Sequence, residues 1–199
     1  MTSVRRRIAA MARTLACALS LTAGMAACAF AQDGPYPARV ADFGQFDHFP
    51  ATVGPYKRGD VVAFAPRMSD FSIAYDSRAP DLDSAVTLYF YPRRFEVARQ
   101  MHAEEDGVLQ VHPGARVVAR RAISIKHGDA TSEAVLETFE YEGKFSGESQ
   151  PLTSQLLMVF RDRSLFKVRS TAPALQGAQA ELAMLALVQA IDWDSVPDR

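Results

Sequence analysis

The sequence predicts an α+β domain: an antiparallel sheet of about seven strands flanked by two helices, preceded by a signal peptide. Three observations predict it. Most of the chain after residue 60 falls into short stretches of period-two alternation rich in Val, Ile, Phe, Tyr and Thr, the pattern of strands with two unlike faces. Helical spacing occurs in one stretch between the strands and one after them. No repeat and no second block of composition divides residues 60–199, so these elements belong to a single layered domain.

The first 31 residues stand outside that domain. Arg5, Arg6, Arg7 and Arg13 make a positive start, Thr14 to Ala31 carries no charge, and Leu15, Ala16, Ala18, Leu19 and Leu21 supply an apolar middle before small residues take over. That order is the layout of a cleavable secretory signal. Ala29-Phe30-Ala31 has the small-x-small pattern that precedes a cut, so the mature chain is expected to start at Gln32, after Ala31. The alternative is Met25-Ala26-Ala27-Cys28, which is similar to a bacterial lipobox and would leave a lipid on Cys28. Met25 stands where a branched aliphatic residue is usual, and the stretch stays apolar past Cys28, so release is expected over lipidation.

Cleavage after Ala31 removes both cysteines, Cys17 and Cys28, and leaves 168 of the 199 residues. A disulfide-free exported chain of that length depends on its core, and it is long enough to build one. The leader takes four of the 22 Lys and Arg and none of the 23 Asp and Glu, so 18 against 23 gives the mature chain a net charge of −5. An acidic domain is a poor partner for nucleic acid or for anionic lipid. Membrane attachment is expected only in the case of lipidation at Cys28.

Residues 32–59 read as an extended Pro- and Gly-rich lead-in, with Phe43, Phe46, Phe49, Val53 and Tyr56 as apolar anchors. Strands are expected over 60–66 and 70–76 about an Arg67-Met68-Ser69 turn, with Phe71, Ile73 and Tyr75 on one face. The strand from Ala85 to Tyr91 sets Val86, Leu88 and Phe90 against Thr87, Tyr89 and Tyr91; with both faces apolar in part, it is expected at the sheet's centre. Spacing over 95–107 predicts a helix with Phe95, Ala98 and Met101 inward, Arg99, Glu104 and Glu105 outward, and Gly107 as its stop. Four strands follow, over 115–126 and 132–142 about His127-Gly128-Asp129, then 154–160 and 165–171 about Arg161 to Ser164. Thr171 is expected to cap a last helix that has Pro173 in its first turn and Leu175, Ala178, Leu182, Leu185 and Ile191 on its inner stripe, widened by Met184, Leu187 and Val188.

The order hairpin, strand, helix, two hairpins and terminal helix, with AVTLYFYP before the first helix and FKVRSTAP leading into the last, resembles the PsbP-like and DcrB-like fold family. The resemblance spans most of residues 60–191 as an order of elements. It implies an antiparallel sheet between helices, export to a periplasm or lumen, and binding or accessory roles. It carries over no functional residue, because no site motif accompanies it.

The chemistry-bearing residues are dispersed. His102 with Glu105 or Asp106 shares a helix face, but one histidine and one carboxylate are too few ligands for zinc, and a solvated helix end is expected. Glu137 alternates away from Glu140 and Glu142, so these carboxylates do not converge as an acid/base pair. Arg116, Arg120, Arg121 and Lys126 are expected to meet the Glu-rich strand across the sheet. Tyr89, Tyr91 and Trp193 read as core packing. No catalytic residue, cofactor or metal ligand is assigned. The candidate binding element is the segment from Gly143 to Thr153, read as a long loop presenting Lys144, Phe145 and Glu148.

The expected function is therefore that of a periplasmic or secreted binding or accessory protein, with an envelope protein or a small ligand as partner. An envelope hydrolase with a site of dispersed residues, and the same domain anchored at Cys28, are the alternatives.

Overall fold

The computed structural model describes residues 37–40, 46–65, 69–92, 96–127, 130–161, 164–193 and 195–196. Residues 1–36, with Cys28, Ala31 and Gln32 of the expected signal and cleavage site, lie outside the described residues, as do Phe43, Phe95 and Gly128-Asp129. The elements are β1 (Ala38–Arg39), β2 (Thr52–Val53), β3 (Tyr56–Ala63), β4 (Phe71–Ala79), β5 (Leu82–Pro92), α1 (Val97–Val111), β6 (Arg116–His127), β7 (Ala130–Phe145), β8 (Glu148–Phe160), β9 (Ser164–Pro173) and, after a 3-10 turn at Ala174–Gln176, α2 (Gly177–Gln189). The α+β class holds, with nine strands among the described residues rather than about seven. The two additional strands are the two-residue pieces β1 and β2, which pair with β3 in a segment too irregular for alternation to register.

The sheet runs β1-β3-β4-β5-β9-β8-β7-β6, with β2 off that path beside β3. Two antiparallel meanders, β3-β4-β5 and β6-β7-β8-β9, meet where β9 pairs with β5. The central place of β5 follows. α1 carries the chain from β5 to the far edge strand β6.

Each face has its own core. On one, Ile73, Tyr75, Val86, Leu88, Phe90, Leu157, Val159, Phe166 and Val168 pack under Ala180, Met184, Leu187 and Val188 of α2. Phe46 and Phe49 of the lead-in close this side, their rings 5.2 and 5.8 Å from Phe71. Arg58 pins them by donating to the Phe46 and Phe49 carbonyls at 2.8 and 2.5 Å. On the other face, Met101 and Val108 of α1 cover Phe139, Tyr141, Leu152, Leu156, Met158 and Leu165.

Three expectations are corrected. Gly107 does not stop α1, which runs to Val111; a glycine costs about 1 kcal/mol in a helix, and the buried Val108 just beyond it offsets that. In the same helix Ala98 is exposed, and Gln100 joins Met101 on the buried side. Thr171 caps nothing: β9 continues to Pro173, which pairs with Leu152, and only part of the expected stripe faces inward. Leu175 is 103% and Leu182 69% exposed, whereas Ile191 and the widening residues Met184, Leu187 and Val188 are buried as expected. Glu181 is the single charge in α2, so apolar residues lie all round it and spacing alone does not fix which side faces the core.

The third correction concerns the segment 143–153. It is a hairpin, not a loop: β7 and β8 pair through Gly143↔Gln150, Lys144↔Ser149 and Phe145↔Glu148. Ser146 (φ 50) and Gly147 (φ 92) make a two-residue turn with both residues left-handed, the geometry that follows strand twist. Gly143 is a close approach, since a Cβ there would sit 2.8 Å from Leu152 Cδ1 and 3.2 Å from Tyr141. Phe145 packs against the α1-side core.

Candidate functional site

Strand alternation puts Tyr89 and Tyr91 of β5, and Lys167, Arg169 and Thr171 of β9, on the sheet face that α1 covers. α1 sets Gln100 and Glu104, one turn apart, down onto them. Tyr91 Oη donates to Glu104 Oε1 at 2.5 Å, and Gln100 Nε2 donates to the same oxygen at 3.1 Å. Lys167 Nζ takes the other oxygen at 2.7 Å and stands 4.4 Å from the Tyr89 ring centre. Burial alone would raise the Glu104 carboxyl, but the Lys167 charge and the hydrogen bonds from Lys167, Tyr91 and Gln100 outweigh it and hold the group below its ordinary value. Burial first, and then the Glu104 charge, push the Tyr91 phenol far above its own. The sequence placed Glu104 outward; the sheet's ammonium draws it in.

Arg169 lies one row further along the same face, between Thr87 of β5 and Leu156 of β8. Its Nη2 donates to Ser154 Oγ at 3.3 Å, and its Nε is buried without an acceptor. Among the described residues no carboxylate stands at ion-pair distance from it. Burial weakens its hold on the proton, while the Tyr141 and Tyr89 phenols and the Glu104 carboxylate act in the other direction. Ser154 donates to the Ser170 carbonyl at 2.8 Å, so it accepts from both Arg169 and Thr171, whose hydroxyl lies 3.2 Å away. His112, just past α1, stacks on Tyr141 with ring centres 4.2 Å apart and planes at 22°. Burial, and then the Arg169 charge, lower the His112 imidazole.

The guanidinium leans along the strands toward Ser154. On the opposite face, to which Glu140, Glu142 and Pro151 alternate, an open groove of about 370 Å³ is lined by Gly114, Arg116, Glu140, Tyr141, Glu142, Pro151, Leu152 and Ala174. Arg116 is held by Glu140 at 2.7 Å.

The remaining expected residues are accounted for as follows. Lys144, Phe145 and Glu148 sit at the hairpin tip, two or three residues beyond the groove residues Glu142 and Pro151, and do not line the groove. The cross-strand pairing of β6 with β7 is present for Arg116 and Arg120, whose Nε donates to the buried Glu137 at 2.5 Å and which also pairs with Glu105 of α1, whereas Arg121 pairs instead with Glu181 of α2 at 2.6 Å. Trp193 is core, edge-on to Phe166 and donating to the Val188 carbonyl at 3.0 Å. Glu105 is engaged by Arg120, and among the described residues no three His, Cys, Asp or Glu side chains gather around one point. Sequence reasoning passed over Gln100, Ser154, Lys167 and Arg169. The available signal was the alternation LFKVRST, which places two cations and a threonine on one side of a strand.

No family model matches the chain, and none of the curated proteins matches it. Among solved structures it is similar to the protein of unknown function PA94 from Pseudomonas aeruginosa, at 14% identity over 68% of this chain and 95% of that one, with a TM-score of 0.46. It is also similar to LpqN, involved in cell envelope biogenesis of Mycobacterium tuberculosis, at 11% identity over 80% of this chain and 84% of that one, with a TM-score of 0.39. Both are likenesses of chain path and not of activity. Among the described residues no helix is long and apolar enough to cross a membrane.

Proposed function

We propose that the chain is an exported, non-catalytic binding or accessory protein of the cell envelope, cut after Ala31, and that it binds through the sheet face beside α1. The placement with PsbP-like and DcrB-like proteins belongs to this proposal. The observation that carries it is the Glu104 arrangement: both oxygens of one carboxylate are occupied by Lys167, Tyr91 and Gln100, which fixes α1 against the sheet beside Arg169, whose buried Nε has no acceptor among the described residues. A general acid or base works best when its pKa lies near the operating pH. Here the carboxyl is held down and the phenol held up, so this cluster suits holding a ligand better than moving protons. The partner is an envelope protein or a small ligand, and Lys144, Phe145 and Glu148 at the tip of the β7–β8 hairpin are its candidate outer contacts.

Native mass spectrometry of the protein isolated from its envelope tests the reading. We expect a mass that begins at Gln32, together with a bound molecule or partner that Tyr141→Ala loses. Steady turnover of an envelope ester or glycan, abolished by Glu104→Gln, would replace this reading with the hydrolase. A diacylglyceryl mass on Cys28 would replace release with anchoring.

A further inference from the structure

We propose that the outward side of α2 is an association surface for a second copy of this chain, with the two α2 helices packed antiparallel about a two-fold axis at Leu182. This surface lies across the sheet from the face beside α1 and does not depend on what binds there.

The helix is apolar all round, yet the sheet covers it on one side only. From Pro173 to Ile191 the sequence carries a single charge, Glu181. A helix without a polar face belongs in an interior, with both of its sides covered. The sheet takes up Ala180, Met184, Leu187 and Val188. Leu175 and Leu182 are left as the two most exposed large apolar side chains among the described residues, the next being Val118 at 39%. Ala178, Ala186 and Gln189 are exposed with them. The polar groups beside this stripe are held within the chain: Gln179 donates to Asp81 Oδ2 at 3.1 Å, and Glu181 accepts from Arg121 at 2.6 Å. An apolar centre with an ordered polar rim is the anatomy of a protein interface.

Charge and size select the occupant. The stripe is uncharged, so a strongly basic or acidic partner would find nothing on it to pair with. An anionic lipid surface calls for Lys or Arg beside the apolar side, and α2 has neither. A second copy brings the same neutral stripe. Ala178 and Ala186 stand four residues before and after Leu182, and Leu175 and Gln189 stand seven before and after. Turned end for end about Leu182, the stripe lies on itself, as an isologous contact requires. The two Leu182 side chains then meet at the axis, each Ala178 faces the partner's Ala186, and each Leu175 covers the methylenes of the partner's Gln189. The small residues on both sides of Leu182 allow the helices to approach closely. From Ala174 to Gln189 the stripe is about 24 Å long and about 10 Å wide, which offers roughly 500 Å² of accessible surface per copy. A pair then buries about 1,000 Å², the lower limit for a specific contact, so the dimer is weak and reversible, with a Kd of about 10–100 µM. A more dilute chain is a monomer, and the outward leucines do not enter its unfolding.

The test is sedimentation equilibrium of the exported protein from about 1 to 500 µM, a range that brackets the expected Kd. The mass should rise from one chain to two across it. Leu182→Glu, at an exposed position, should leave the dilute chain folded with an unchanged thermal midpoint and weaken association about tenfold or more. Cross-linking reads the axis. Cys17 and Cys28 both precede Gln32, so the form that starts there carries no thiol of its own. Under mild oxidation Leu182→Cys should link to itself, because the two positions meet, whereas Ala178→Cys should link only when mixed with Ala186→Cys. A chain that stays monomeric throughout the range, association that Leu182→Glu leaves unchanged, or Leu182→Cys that links no better than Ala178→Cys alone overturns the proposal. Sedimentation with vesicles of phosphatidylethanolamine and phosphatidylglycerol that Leu182→Glu abolishes also overturns it, and would make the stripe a lipid contact. None of these outcomes bears on the face beside α1, whose ligand is read by the mass measurement above.

Discussion

The Lys167 ammonium donates to Glu104 Oε2 at 2.7 Å and, through that single contact, ties strand β9 to helix α1 across a boundary of 63 residues in sequence. Both side chains are mostly shielded, at 17% and 18% exposure. Breaking a shielded pair from one side leaves the other charge uncompensated.

Lys167→Met and Glu104→Gln should therefore each lower stability by about 3 kcal/mol, with the double variant recovering much of the loss. Urea unfolding of the set measures this. Equal and additive losses would show that the two groups act independently.

The same pair sets an acid limit. The folded Glu104 carboxyl lies below its ordinary 4.5, so its contribution is fully present above that value and is lost as pH falls through the lower folded one. Histidine acts at a higher pH. Burial lowers both His48 and His112 from 6.5, so the unfolded chain takes up protons first and stability declines as pH drops below 6.5. Thermal midpoints between pH 8 and pH 5 should show this decline, and His48→Gln with His112→Gln should flatten it. A profile unchanged by the double substitution would count against the assignment.

The orientation of α2 is open to a direct contrast. Leu182→Gln and Leu175→Ser, on the outward side, should each change stability by less than about 0.5 kcal/mol. Met184→Ala and Leu187→Ala, fully buried, should each cost about 2–5 kcal/mol. The reverse ranking would mean that the Leu175 and Leu182 side faces the core instead.

Gly143→Ala places a methyl group against Leu152 and Tyr141, both packed in the α1-side core, and should cost about 1 kcal/mol or more. Were this segment a flexible loop, the substitution would be neutral or mildly stabilising. Thermal unfolding distinguishes the two.

How much of this could be read in advance depended on which interactions decide each element. Strands β4 and β5 were legible because alternation and burial agree: Ile73, Tyr75, Val86 and Leu88 are apolar and face inward. The β6–β7 charge pairing was legible because Arg120 and Glu137 lie in adjacent strands joined by a short turn. Two things were hidden. A turn made by Ser146-Gly147 lacks the Asn-Gly signature, so the hairpin looked like a loop. The side that Glu104 faces is settled by Lys167, a residue no local pattern connects to it. The candidate site suffers most from this second limit, because Gln100, Glu104, Ser154, Lys167 and Arg169 come from three elements and meet only after the sheet closes between β5 and β9. Lys144, Phe145 and Glu148 were near the groove by virtue of the strands that carry them, not of loop length.

The central claim is that Arg169 is held in the fold for a ligand and is not one of its structural ties. The most direct measurement is the thermal midpoint of Arg169→Leu against the parent protein with no ligand present. Removing a shielded charge that has no counter-charge should raise stability, by about 1 kcal/mol, and with it the midpoint. A midpoint several degrees below the parent would contradict the account, because it would make Arg169 a structural support whose removal the sheet cannot absorb.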